Sequence, residues 1–573
     1  MPRPSVNHTV EYNRVAALPR RVLNEADANA WAGVFTDELR APGSRAKLRT
    51  WQGQCFAEAA DCLGGFFVLP VGFGKTVLSY LLGHVVHGKR VLLILPANLI
   101  KSGKTAGDFR SYVGEWLTPQ PPPWAVSREW LALDANANYL DQFQPDVIVI
   151  DESDELANFD SATSRRLDRY IMARTREECA VFCMSGTPSR NSIMAYWHLL
   201  RWCFRDGAPV PRTRGEAQRW AMAIDQVKNQ ADSTRMDPGP LGVSRKDAVH
   251  WFRERLQQTP GVVIIDGDSA GTIPLKIVQR IPAECPKIDA AFRTFAVDQE
   301  TPDGIPCADP LGRWRLDGFL GCGFYPRYVK PGPPKEWIDR RRARGRAYGA
   351  LCKTVIDSSR SHREPADTER QVRRRYPDHP VITEWDEVKD DPYPTEVVWL
   401  STATLETAEA WLREAREPGI VWCGSVEFAR ELSRRTRLPY FGREGKDQNG
   451  NTLDTASRVA AWHTRSFICS WNANKKGFNL QPWRRHAVFV PPSSAKWVEQ
   501  MIGRSHRAGQ TKPVEWDFYL TSGARLDAFE STLGEARFAR DSVGPKQKIL
   551  RAEIVRVQAK LTDRNKYRYA RAK

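Results

Sequence analysis

The sequence predicts an α/β protein: two parallel-sheet lobes with an inserted, mainly helical and basic region between them. Three observations carry this. The apolar runs at 65–71, 91–96 and 147–150 are rich in Val, Ile, Leu and Phe without alternation, as in strands covered on both faces. Between the first two, 75–87 places Val77, Leu78, Leu81, Leu82, Val85 and Val86 on one helical stripe that stops at Gly88. A strand, a helix and a strand in succession require parallel pairing. The same vocabulary returns late in the chain, with strands at 420–423, 466–470 and 486–490 and a helix at 426–437.

The elements are laid out as follows. A fourth strand of the first lobe is expected at 180–184, after a helix at 161–174. At 573 residues the chain has room for three or four domain-sized units, taking about 150 residues for each. The reading divides it into an N-terminal extension (1–44), lobe 1 (45–205), a helical and basic insertion (206–394), lobe 2 (395–535) and a basic tail (536–573). The insertion holds a helical stretch at 214–230 and a Pro/Gly joint at 331–334. No repeat of 20–50 residues stands out.

Composition narrows the function. Lys and Arg number 85 against 68 Asp and Glu, a net charge of +17, so the surface attracts polyanions. Of the 85 cations 62 are Arg, which favours forked phosphate contacts; a GC-rich coding sequence gives the same bias. The 11 Cys contain no CxxC pair and no zinc-spaced quartet, so reduced buried thiols and no structural zinc are expected. No apolar stretch approaches a membrane span, and residues 1–21 carry no apolar leader core. The expectation is a soluble intracellular protein, in the cytoplasm of a prokaryote or of an infected host, with no membrane partner.

The chemistry begins at Gly72-Phe73-Gly74-Lys75-Thr76, which follows a strand and opens a helix. Backbone N–H groups of such a loop cradle phosphates, the Lys reaches the β and γ oxygens, and the Thr hydroxyl ligates Mg²⁺. Leu69 stands where that pattern wants another Gly, and an ordinary Gly-rich turn is the alternative. The next acidic signal is Asp151-Glu152 at the end of a strand. Asp151 suits a metal ligand and Glu152 a base for the attacking water; two solvated acids opening a helix are the plainer reading.

Four further segments turn these signals into a family resemblance: Leu48-Arg49-Thr50-Trp51-Gln52, Met184-Ser185-Gly186-Thr187-Pro188-Ser189-Arg190-Asn191, Gly477-Phe478-Asn479-Leu480, and Gln500 through Gln510, which reads QMIGRSHRAGQ. In this order the chain resembles superfamily two helicases, and specifically the Swi/Snf-like double-stranded DNA translocases. The resemblance implies two RecA-like lobes with ATP and Mg²⁺ in the cleft between them. It implies that Gln52 reads adenine, that Gly72, Gly74, Lys75 and Thr76 hold phosphate and Mg²⁺, and that Asp151 and Glu152 serve metal and water. Gly477 is expected to complete the nucleotide site, Arg507 to be the arginine finger, Arg504 its neighbour and Gln500 a γ-phosphate sensor. Stabilising the transferring γ-phosphoryl in this way is typically worth about 10³–10⁵ in rate.

Two departures stand out. Asp154 replaces the His usual in the acidic motif, which bears on coupling between lobes, and Lys476 replaces the first of two glycines. Expected contacts to DNA, made without sequence specificity, are Ser185 and Thr187 as relays between the γ-phosphate and the duplex, with a simple ST-turn ahead of Pro188 as the alternative, Lys476 on a phosphate, and Arg340, Arg341, Arg342 and Arg344 in the first basic run. A second run holds Arg370 and Arg373 to Arg375, and a solvated face is the alternative for both. A basic segment at 546–573 carries 10 Lys/Arg against 2 Asp/Glu. The expected function is an ATP-dependent DNA translocase; a strand-separating helicase and an ATP-clamped binding scaffold are the rivals.

Overall fold

Successive residues of a strand face opposite sides of its sheet, so a run with no polar alternation needs cover on both. The computed structural model describes residues 9–556 apart from 23, 102–108, 111, 120–121, 189–190, 226–244, 283, 308, 363, 415–416 and 475–477. It contains six strands in a first parallel sheet: β1 (Gly64–Val68), β2 (Val91–Leu95), β3 (Trp124–Ser127), β4 (Val147–Asp151), β5 (Ala180–Ser185) and β6 (Val262–Ile264). Their spatial order is β3-β2-β4-β5-β1-β6. Phe66, Val68, Ile94, Ile148, Ile150 and Val181 pack into one core cluster. Phe67, Leu69, Leu93, Val149 and Phe182 pack into another. Each such fully buried side chain contributes about 1.5–3 kcal/mol by leaving water.

The second sheet has seven parallel strands. In chain order they are β7 (Leu275–Arg280), β10 (Gly419–Cys423), β11 (Tyr440–Phe441), β12 (Phe467–Ser470), β13 (Arg485–Phe489), β14 (Val514–Tyr519) and β15 (Glu553–Val555); β8 (Phe324–Tyr328) and β9 (Thr395–Trp399) form a separate antiparallel pair. The seven lie in the order β11-β12-β10-β13-β14-β7-β15. Val421, Cys423, Ile468, Ala487 and Phe489 fill a core on one face. Trp422, His486 and Trp516 lie together elsewhere in the sheet, the His486 and Trp516 rings stacked with centroids 3.9 Å apart. Between β8 and β9 the helices Lys335–Ser358, Glu369–Arg375 and Pro380–Asp386 enclose a small core of Tyr348, Cys352, Ala366, Val372 and Ile382.

The structure moves the expected boundaries. The chain divides into a unit of 1–269 with 534–550 and a unit of 270–533 with 551–573. Strands β6 and β7 therefore come from the region read as a helical insertion, and β15 from the region read as a tail. Their signals are weak for physical reasons: β6 and β15 have three residues each, and β7 carries Lys276, Gln279 and Arg280 among its apolar positions. The expected extension at 1–44 is likewise part of the first unit. Its helix Glu25–Leu39 packs against the helix Thr50–Cys62 so closely that a Cβ on Gly53 would lie 2.4 Å from the Ala32 Cα. All eleven cysteines are free thiols. Among the described residues no helix is long and apolar enough to cross a membrane.

Candidate active site

Strand order decides which loops meet. β5 lies between β4 and β1, with Ser185 level with Val68 and Met184 level with Asp151. The Gly-rich loop after β1 and the acidic pair ending β4 thus leave the same edge of the sheet two strands apart, about 10 Å at ordinary strand spacing. Side chains close that gap. The Lys75 ammonium donates to the Leu69 carbonyl (3.2 Å) and stands 4.0 Å from the Glu152 carboxylate.

The loop is shaped by backbone that ordinary residues avoid. Gly72 and Gly74 have φ of +89° and +79°, the left-handed region that costs an L side chain roughly 1–2 kcal/mol. Gly74 caps the helix Lys75–Val85, in which Thr76 is the half-buried second residue. A Cβ at Gly74 would also meet the Gln52 amide nitrogen at 2.9 Å. Glu152 is itself left-handed at φ +52°, a strained setting of the kind that clusters at functional sites.

The helix Thr50–Cys62 pins the loop from outside. Gln52 accepts from the Arg49 N–H (2.9 Å) and donates to the Gly74 carbonyl (3.4 Å). The Trp51 indole donates to the Phe73 carbonyl (3.2 Å), its ring 5.0 Å from that of Phe73 and 5.0 Å from the Arg49 guanidinium. Donor chemistry fits the expected ligands: a cationic Lys and left-handed glycines suit a polyphosphate, and the Thr76 hydroxyl with the Asp151 carboxylate are oxygen ligands of the type Mg²⁺ takes alongside substrate phosphates. Among the described residues no group of three or more His, Cys, Asp or Glu forms a protein-only metal cage.

Ser185 and Thr187, read as relays to DNA, are both buried. The Thr187 N–H donates to the Ser185 hydroxyl (3.0 Å), and the Thr187 hydroxyl to the buried Asp154 carboxylate (3.4 Å). The first of these bonds is the local turn expected as the alternative to a relay. The two hydroxyls connect β5 to the acidic motif, and Asp154 supplies the acceptor where the resembled family has a His.

In the second unit the segments 478–481 and 500–510 are knitted together. Arg504 donates to the Gln500 carbonyl (3.0 Å) and the Phe478 carbonyl (3.3 Å), and the Leu480 N–H donates to the Arg504 carbonyl (2.8 Å). Gln510 donates to the carbonyls of Gln481 and Ser505, and Gln481 to that of Ala508. Arg507 donates to the Asn479 side-chain oxygen. Burial lowers the pKa of its guanidinium from the ordinary arginine value. Gln500, on the helix Ala495–Ile502, is 1% exposed, and neither atom of its amide finds a hydrogen-bond partner among the described residues. Burying an unpaired amide is costly. Lys476 and Gly477 lie outside the described residues, as do Ser189, Arg190 and 557–573 of the basic tail.

The first basic run is largely occupied. Arg341 donates to the carbonyls of Val388 and Lys389, Arg342 to that of Pro306, and Arg344 to the Glu384 carbonyl and the Glu387 carboxylate (2.6 Å). Of the four guanidinium groups expected at phosphates, the helix Lys335–Ser358 bonds three to the chain beside it. Arg340 is exposed. In the second run Arg373 pairs with Asp386 (2.7 Å) and Arg375 donates to the Glu364 carbonyl.

Three contributors lay beyond the sequence reading. Trp51 lies within 48–52, but nothing in that pattern assigns its indole to the loop. Asn479, within 477–480, holds Arg507. Ser269, which donates to the Val71 carbonyl (2.9 Å), stands nearly two hundred residues from the loop it supports and carries no local signal. The chain matches no protein-family model and no curated protein sequence.

Proposed function

We propose that this protein is an ATP- and Mg²⁺-dependent translocase acting on double-stranded DNA, with RecA-like lobes built on the two parallel sheets. The observation that carries the reading is the convergence of Lys75 and Glu152, 4.0 Å apart, over a loop whose two glycines are left-handed. The ordered motifs of the Swi/Snf-like resemblance, from Gln52 to Gln510, supply the substrate class.

In this reading Lys75 gives up the Leu69 carbonyl for the β and γ phosphate oxygens, and Gln52 reads the adenine edge. Bound Mg²⁺, held by Thr76 and Asp151 with the substrate phosphates, would neutralise charge on the triphosphate. Glu152 orients the attacking water and takes its proton. On the resemblance, Arg507 would meet the charge that develops on the γ-phosphoryl oxygens, with Arg504 as its neighbour and Gln500 as a γ-phosphate sensor. Asp154 and Thr187 carry the change at the acidic motif to β5.

DNA-stimulated phosphate release tests the enzyme. Glu152→Gln is expected to lower it by at least about 10³-fold while leaving ATP binding in place; a wild-type rate indifferent to duplex DNA would favour the binding scaffold instead. Displacement of a triplex-forming strand without unwinding of a fork is the result expected of a translocase. Fork unwinding would make it a strand-separating helicase.

A further inference from the structure

The turn between β6 and the end of the first stretch of unit 1, residues 265–269, touches the phosphate loop at one face and a distant part of the chain at the other. On the loop side the Ile265 N–H donates to the Val68 carbonyl (3.1 Å), and the Ser269 hydroxyl to the Val71 carbonyl (2.9 Å). Gly267 lies under the Phe73 ring, where a Cβ would come within 2.8 Å of the ring carbon Cζ. On the other side the Lys546 N–H donates to the Asp266 carboxylate (2.9 Å), and the Lys548 ammonium to the Asp268 carboxylate. Lys548 and Asp268 are nearly closed off from water, with side-chain exposures of 2% and 9%.

We propose that Lys548 is a positioning residue for the phosphate loop: through Asp268 it fixes the turn 265–269, and that turn sets the backbone of residues 71–73 by way of Ser269 and Gly267. The inference deepens the nucleotide reading and rests on it for its functional consequence. Its physical basis is a short series of contacts. A buried ammonium bonded to a buried carboxylate tolerates little displacement, because water cannot replace the contact that each charge loses when the two move apart. Asp268 and Ser269 are adjacent, so a displaced carboxylate moves the hydroxyl that holds Val71. Residues 534–550 belong to the first unit although the chain on either side belongs to the second. The strap carrying Lys548 is therefore bounded at both ends by chain of the other unit, and its hold on residues 71–73 passes through the side chains of Lys548, Asp268 and Ser269.

Amide hydrogen exchange on the full-length protein without nucleotide tests the packing. Lys548→Met is expected to speed exchange in 70–77 and 265–269 about tenfold, with the helix Ala162–Met172 of the same unit unchanged. Lys548→Arg keeps the pair and is expected to restore the wild-type pattern. Ser269→Ala, which leaves the buried pair intact, is expected to loosen 70–77 alone, and the double variant to be no looser there than the larger single effect. Wild-type exchange at 70–77 in both Lys548→Met and Ser269→Ala overturns the proposal, as does a uniform rise across the unit. With an ATP analogue, Lys548→Met is expected to raise Kd about tenfold, equivalent to 1.4 kcal/mol, and Lys548→Arg to bind as wild type. Should the wild type hold no ATP analogue, the nucleotide reading falls while the exchange result still decides the positioning claim.

Discussion

The two sheets present their candidate residues in opposite ways. In the first unit Lys75 and Glu152 are half-buried, and the Lys75 ammonium and the Gln52 amide nitrogen donate to loop carbonyls at 3.2 and 3.4 Å, while the Gln52 oxygen is held by the Arg49 N–H at 2.9 Å. Such contacts are exchanged at little cost when a better partner arrives. In the second unit Arg504 is buried and bonded at two carbonyls, and the segment carrying Arg507 is stitched to 478–481 from both directions. One region is arranged to trade partners and the other to keep its shape. For a reaction in which charge develops late, a preformed guanidinium loses least to reorganisation.

Replacing the guanidinium itself gives the largest expected effect on this contrast. Arg507→Ala should lower DNA-stimulated ATP hydrolysis by about 10³-fold, with ATP affinity nearly unchanged. Asn479→Ala leaves the charge and removes the side-chain oxygen that holds it; a loss of about tenfold in kcat is expected, because a misplaced but present cation still contributes. Single-turnover hydrolysis separates the two. An Asn479→Ala rate equal to that of Arg507→Ala would mean that orientation is everything; an unchanged rate would mean that the second unit is less preformed than its bonding indicates.

The same contrast explains what could be read from sequence. The long apolar strands at 91–95, 147–151, 180–185 and 419–423 announced themselves because both of their faces are buried. Gly72, Gly74 and Lys75 were legible because a left-handed loop opening a helix admits few residue types. β7 was not, since its Lys276 and Gln279 break the apolar run, although it pairs with β14 over six residues and with β15 on its other side. Ser269 and Lys548 were invisible for a different reason: their partners are distant in the chain, and a lone Ser or Lys has no periodicity. The partners of Arg341, Arg342 and Arg344 were not legible either, because a run of like charges does not show that Val388, Lys389, Glu387 and Pro306 face it.

Acid should strain both units, and the second more. Burial lowers the pKa of His198 in the first unit to about 4 and that of His486 in the second to about 3. Each histidine is neutral when folded and takes up a proton near pH 6.5 when unfolded, so the unfolded state binds more protons between 6.5 and the folded value. Stability is complete above pH 6.5 and falls with decreasing pH, by about 1.4 kcal/mol per pH unit for each histidine. For His198 the loss ends near pH 4, for His486 near pH 3. Thermal unfolding followed from pH 7 to 3 should show a shallower slope in His486→Gln and His198→Gln, the His486→Gln difference alone continuing to grow below pH 4. Parallel slopes in variant and wild type would exclude these imidazoles as the source.

The smallest expected effect concerns the helix Lys335–Ser358, where neighbouring arginines differ in what they touch. Arg344 is already neutralised by Glu387 at 2.6 Å, so lending it to a phosphate would mean breaking that pair and gaining little. Arg340 is exposed and makes no hydrogen bond or ion pair among the described residues. A free cation brought to a DNA phosphate releases a counterion, whereas a paired one releases almost none, so the two should differ in how binding depends on salt. Arg340→Ala is expected to reduce the slope of log affinity against log salt by about 1, and Arg344→Ala to leave it within error. Equal slopes for both variants and the wild type would place this helix off the DNA, and would return the +17 net charge to other surfaces for its explanation.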